Sequence, residues 1–392
     1  MSSPHNGGLR KATKPKNTKK LIVEPLIFFA VFLLFFGYLA YRMDIRNMMN
    51  TMMATAHDLL INTVFFLMGI TVLMGAFSKL LAEFGVVDLL EKLLRPLMRP
   101  VFNLPGVAAL GAVVTFLSDN PAIIILSKNA RFAQHFRKYQ LVSLTNFGTT
   151  WGMGLIVVVF MLSQGYGGPA MVGVFGAFCG CIISTRLMQR LTLKQFPEYD
   201  CPAVVVSGET DGEEPKDEVE ESEQSGFMRF LNAALDGGRQ GVDLGIAIIP
   251  GVLIISTVVM MLTFNTTEFT GKAYEGVGLL PKVANCISFV FEWLFGFTNT
   301  ELLAFPMTAL GAVGAALGLI PQMKASGILD ANAVAVFTAI GMCWSGYLST
   351  HAAMLDSMGY RQLISKAVAA HTIAGICAGV VAHWAYVLVS LL

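Results

Sequence analysis

FNLPGVAALGAVVTFLSDNPAIIILSKNARFAQHFRKYQLVSLTNFGTTW, residues 102–151, decides the fold. It is apolar, yet Ser118-Asp119-Asn120-Pro121 interrupts its middle and Thr145-Asn146-Phe147-Gly148-Thr149-Thr150 stands near its end. Polar breaks inside membrane-grade segments are costly unless they face protein or a water-filled cavity, so both mark a binding site or a buried interior. The stretch also recurs. A shift of 193 positions, without a gap, lays Phe102 on Phe295, Thr145 on Thr338, Gly148 on Gly341 and Trp151 on Trp344. Upstream in the same register, Leu60, Ile61 and Met68 fall on Leu253, Ile254 and Met261. This reads as a two-fold internal repeat.

Composition sets the compartment. Of 392 residues, 55% are hydrophobic and 14% charged, whereas soluble domains carry about 25% charged residues. The chain is therefore an integral membrane protein. A net charge of +1 offers no field for nucleic acid. Six cysteines, without CxxC or zinc-ligand spacing, predict no disulfide, no metal centre and no cofactor.

Spanning helices need about 20 apolar residues. The candidates are 21–41, 59–81, 140–163, 168–187, 241–263, 331–349 and 366–390, with interrupted segments at 101–127 and 283–320. Six Lys and Arg within residues 1–20 place a disordered N-terminus in the cytoplasm. Residues 21–58 read as a signal-anchor helix and an interfacial segment, 59–190 as the first repeat plus a helix, and 239–392 as the second repeat plus a C-terminal helix. Segment 101–127 has Lys92, Arg95 and Arg99 before it and Lys128, Arg131, Arg137 and Lys138 after it. Two basic flanks put both ends on one side, so the segment is a re-entrant hairpin. Asn120 is expected as the N-cap and Pro121 as the first residue of its second arm. The linker 191–238 holds eleven Asp and Glu between Glu198 and Glu223, which predicts a solvated cytoplasmic segment. Helix 241–263 then exits, so the second hairpin enters from the opposite face. The expected fold is an all-α polytopic membrane protein with two inverted repeats, each containing a re-entrant helical hairpin, multi-pass in the cell (inner) membrane. Inverted repeats of this kind place a solute site near the bilayer midplane, where broken helices meet.

Leu104-Pro105-Gly106, Ala109-Leu110-Gly111-Ala112, the tip 118–121 and Thr145 to Thr150 resemble the nucleoside-recognition, or Gate, domain. That domain occurs in spore-maturation membrane proteins and in the membrane part of ferrous-iron transporters, and is distantly similar to the hairpins of concentrative nucleoside transporters. The resemblance implies the hairpin fold and covers roughly 60–165, then 245–350 more weakly. Nucleoside transporters of that kind carry a Glu-Ala-Pro type element at the hairpin, where Asp119-Asn120-Pro121 stands here. No GxxxxGK[ST] is present, so the GTPase part of iron transporters is absent.

The candidate substrate-binding residues are Ser118, Asp119, Asn120, Thr145, Asn146, Thr149, Thr150, Asn299, Glu301, Ser349 and His351. Asp119 has no basic residue within a helical turn and could bind a cation or proton, or cap a half-helix. Thr145, Asn146, Thr149 and Thr150, among glycines, could line a polar site or bond between helices. Thr298-x-x-Glu301 has the spacing of a capping box. His351 and His371 could relay protons or serve as hydrogen-bonded packing. The expected partners are a small-molecule or ion solute and the lipid bilayer, with a homo-oligomer or a membrane partner subunit open. The leading functional expectation is transport of a small polar or charged solute. The alternatives are a non-transporting membrane scaffold or signalling subunit, and an intramembrane hydrolase built on Ser345 and His371.

Overall fold

The computed structural model describes residues 18–203 and 225–391. The basic N-terminus before Thr18 and the acidic run 204–224 lie outside the described residues, so the expectations placed on them do too. Six helices among the described residues are long and apolar enough to cross a membrane. The first, Thr18–Met43, exposes Phe28, Phe29 and Leu34. It ends at Asp44, whose φ of 66° turns the chain and whose carboxylate accepts a hydrogen bond from the Arg46 amide at 2.9 Å. Residues 45–58 are not a separate interfacial segment: they form the first third of one continuous helix, Ile45–Glu83. Likewise the linker ends earlier than expected. Ser225 caps a helix that runs from Gly226 to Thr263, so residues 226–238 already belong to a span.

The backbone repeats with the side chains. Gly85, Asn103 and Met153 all have positive φ, and a shift of 193 positions carries them onto Gly278, Gly296 and Gly346, which do as well. Left-handed residues are uncommon outside glycine, so three coincidences in one register mark true structural copies. A wide π-type turn at Leu59–Val64 in the Ile45–Glu83 helix answers one at Gly251–Ser256 in the Gly226–Thr263 helix. Broken helices follow: Lys138–Thr149 with Gly154–Ser163 in the first repeat, and Ala331–Cys343 with Tyr347–Ser357 in the second. The span expected at 331–349 is thus two half-helices with a turn between them.

The two copies run in opposite directions. Gly75 lies against Gly237, Thr71 against Gly241 and Met68 against Gly245, so one number falls as the other rises. Glycines at four-residue spacing let these two backbones touch, and the Thr71 hydroxyl donates to the Gly241 carbonyl at 2.7 Å. A second antiparallel pair joins Gly167–Gln195 to Ile364–Ser390. There Gly176 and Gly180 meet a buried stripe of Ala374, Ala378 and Ala382.

Hairpin one consists of Ala108–Leu117 and Pro121–Lys128. Both of its feet stand at one end of the bundle. Gln140 Nε2 donates to the Asn103 carbonyl at 2.7 Å, and the Ala203 amide donates to the Phe136 carbonyl at 2.9 Å. Hairpin two consists of Ala304–Ala309 and Val313–Leu317, and its foot is held where Asn332 Nδ2 donates to the Phe295 carbonyl at 2.8 Å. Before hairpin one, the amphipathic helix Val86–Leu97 turns Leu89 and Leu93 outward, as a helix lying along the bilayer surface does.

Candidate functional site

Asn120 stands where the elements of both repeats converge. A methyl group added to Gly152 would fall 2.6 Å from Asn120 Nδ2, and one added to Gly346 would fall 2.5 Å from the same atom. The hairpin-one tip is therefore wedged between the breaks of the two discontinuous helices. Lys138–Thr149 has 12 residues, about 18 Å of helix, so the tip stands about one half-helix from the end of the bundle that holds the feet of hairpin one. The stretch around Pro121 does not cross to the far side.

Pro121 begins the second arm of the hairpin, as its fixed φ favours. The Asn120 side chain, in contrast, makes no capping bond. Its Nδ2 donates to Asp119 at 3.1 Å, and its Oδ1 is buried without a hydrogen-bond partner. Backbone atoms alone start the helix here: the Ala122 amide donates to the Asp119 carbonyl at 3.1 Å.

A cavity of about 350 Å³ opens at this tip. One wall is Asp119, Asn120 and Thr350; the other is Leu244, Ala247, Ile248 and the hairpin-two tip, Gly311 to Ala315. A second cavity, of about 670 Å³, shares Asp119, Pro121, Leu244 and Ala247 with the first and extends to Ser118, Lys79 and Gln240. Asp119 has no ion-pair partner among the described residues.

The remaining candidates lie elsewhere. Thr145, Asn146, Thr149 and Thr150 are fully buried and do not line either cavity. The Thr149 hydroxyl donates to the Thr145 carbonyl at 2.6 Å and Thr150 to Asn146 at 3.1 Å, while Asn146 Nδ2 bridges Ser184 and the Ala367 carbonyl at 3.0 and 2.9 Å. The Thr149 and Thr150 hydroxyls bond within their own helix, Thr145 Oγ1 is buried without a partner, and Asn146 ties this helix to two others. His351 is buried behind Thr350, with Nδ1 against the Tyr347 carbonyl and its ring 4.7 Å from that of His371. Asn299 and Glu301 stand at the foot of hairpin two, away from the cavity. The Thr298 capping box does not form: Asn299 Oδ1 accepts from the Glu301 amide at 2.9 Å. The Ser349 side chain lies outside what the structure describes. Ser345 and His371 are engaged separately, the serine with the Thr149 carbonyl at 2.7 Å and His371 with Ser184 at 2.7 Å and the Cys343 carbonyl, which leaves no nucleophile–base pair.

Sequence reasoning missed Leu244, Ala247, Ile248 and Gly251 as cavity walls. The signal was present in Pro250-Gly251, a helix-disturbing pair set opposite the tips.

Residues 64–165 match the family model described as Gate, nucleoside recognition. An uncharacterized protein of Alkalihalophilus pseudofirmus is 24% identical over 293 residues, which is 70% of this chain and 57% of the relative, so the chain spans little more than half that protein's length. Among solved structures, CNTnw in an inward-facing substrate-bound state matches with a TM-score of 0.54 at 12% identity, over 94% of this chain and 87% of the other. A doubly substituted CNTnw in an outward-facing state gives 0.52 at 14% identity, over 96% and 87%. At such identities the likeness is one of fold. The chain is a polytopic membrane protein whose residues 64–165 match the Gate, or nucleoside-recognition, model and whose fold is similar to that of concentrative nucleoside transporters.

Proposed function

We propose that this protein binds a small polar or charged solute at the hairpin-one tip and carries it across the cell (inner) membrane, with its N-terminus in the cytoplasm. The observation behind this reading is the cavity at that tip, which the Asp119 carboxylate lines without an ion-pair partner among the described residues. Asn120 beside it is buried against Gly152, where its Oδ1 has no hydrogen-bond partner, a situation that costs about 1–3 kcal/mol. The Asp119 carboxylate supplies acceptors to a solute and is the group to which a coupling proton or sodium ion would bind. Ser118 lines the larger adjoining cavity, through which a solute would approach.

The test is a thermal-shift screen of the purified protein against nucleosides, nucleobases, organic acids and amines, followed by uptake of any stabilising compound into proteoliposomes. Ligand binding raises stability by mass action, about 2.7 kcal/mol at a hundred times Kd. Asp119→Ala and Asn120→Ala are expected to abolish both the shift and the uptake while inserting into membranes normally. Uptake at the wild-type rate in both variants would remove the tip from the mechanism.

A further inference from the structure

The cavity walls differ in chemistry, and the difference specifies a solute class. Side-chain polar groups come from one wall only, and no Lys, Arg or His lines this cavity. The Asp119 carboxylate is the charged acceptor among them, and Asn120 Nδ2 donates to it at 3.1 Å. The other wall differs: Leu244, Ala247 and Ile248 present apolar side chains, and the Gly311 to Ala315 tip of hairpin two carries no polar side chain.

A half-buried carboxylate is stabilised by a cationic partner; none pairs with Asp119 among the described residues, and Lys79 lines only the adjoining chamber. A metal ion held by His, Cys, Asp or Glu is a poor fit as the solute, because no group of three or more of these able to hold one occurs among the described residues. We propose that the cavity takes a small organic ammonium compound with an apolar body. Its N–H groups bond the Asp119 carboxylate, and its body packs on the Leu244–Ile248 face with room to extend into the adjoining chamber of about 670 Å³. A polyhydroxylated solute is disfavoured here, since hydroxyls turned toward the apolar wall lose their water without replacement. This assignment rests on the reading that the hairpin-one tip is the solute site.

Four ring-sized probes separate the possibilities: benzylamine hydrochloride, benzyl alcohol, sodium benzoate and cytidine. Benzylamine is expected to raise the unfolding temperature of the full-length protein, and the other three to leave it unchanged. Asp119→Asn is expected to weaken benzylamine binding by roughly tenfold or more, the loss of a hydrogen bond to a charged group. The comparison among probes on the wild-type protein stands even where that variant folds poorly. Stabilisation by benzoate or cytidine that depends on Asp119, with none by benzylamine, overturns the ammonium assignment but keeps the tip as the solute site. Absence of any benzylamine shift also overturns it. Probe binding indifferent to Asp119 and Asn120 overturns both.

Discussion

Gly152 and Gly346 have no space for a methyl group because Asn120 occupies it from both sides. Gly346 is doubly restricted, since its φ of 60° is a conformation in which side chains are strained. Gly152→Ala should therefore push the hairpin-one tip away from the helix breaks. Overpacking of this kind costs about 1–3 kcal/mol. Gly69→Ala is the control, because nothing lies within 4 Å of the added carbon. Thermal unfolding should separate the two, and solute binding should fall for Gly152→Ala alone; equal behaviour would mean the wedge has no energetic weight. At this scale the sequence was only partly legible. Asp119 and Asn120 stood out as polar residues in an apolar run, and both reach the cavity. Asn120 was expected to cap a helix, and instead its amide is held by Asp119 and by the two glycines that leave room for it. Thr149 and Thr150 looked equally polar on paper, but carbonyls four residues back in the same helix absorb their hydroxyls, a difference that only packing decides.

Among the elements, the loop between Thr263 and Leu279 shows how one helix is tied to another. Glu275 is buried where this loop folds over the Ile45–Glu83 helix. Burial by itself pushes its carboxyl up. Hydrogen bonds from the Thr270 hydroxyl at 2.6 Å, the Thr270 amide at 3.0 Å and the Gly271 amide at 2.9 Å outweigh it and hold the group below its ordinary value. A depressed folded-state pKa contributes stability that is present above the ordinary glutamate value of 4.5 and lost as pH falls through the lower, folded value. Wild-type protein should thus lose its stability advantage over Glu275→Gln on acidification below about pH 4.5, measured as unfolding temperature across pH; a constant difference between the two would contradict the assignment. The helix pair beneath the loop gives a second expectation. Gly241→Ala would place a carbon against the Thr71 carbonyl, which cannot yield, so the antiparallel pair should separate and the protein lose about 1–3 kcal/mol. Glycines and polar residues mark the breaks in the two discontinuous helices, although 140–163 and 331–349 each read as one span. The wide turn at Leu59–Val64 was not legible, because its Asn62-Thr63 comes without a Gly or Pro, whereas Pro250-Gly251 announces the one at Gly251–Ser256.

For the whole molecule, inversion of the repeats is what brings two hairpin tips from opposite faces to one cavity. Charge distribution anticipated this: hairpin one is flanked by basic residues on both sides, whereas hairpin two has few. The antiparallel contacts Gly75–Gly237 and Met68–Gly245 carry the same message in geometry. The polar content of the two halves is unequal, with Asp119-Asn120 at one tip and Gly311-Ala312 at the other. The proposed function therefore assigns selectivity to the first repeat and leaves hairpin two as a wall without polar side chains. The most direct measurement of this arrangement is sided labelling. Lys128→Cys, at the end of hairpin one, and Ala325→Cys, beyond hairpin two, are both exposed positions, and each would be introduced into protein from which the six native cysteines have been removed. Oriented vesicles would then be treated with a membrane-impermeant thiol reagent. The inverted arrangement predicts that the two positions react from opposite faces of the membrane; reaction of both from the same face would contradict it.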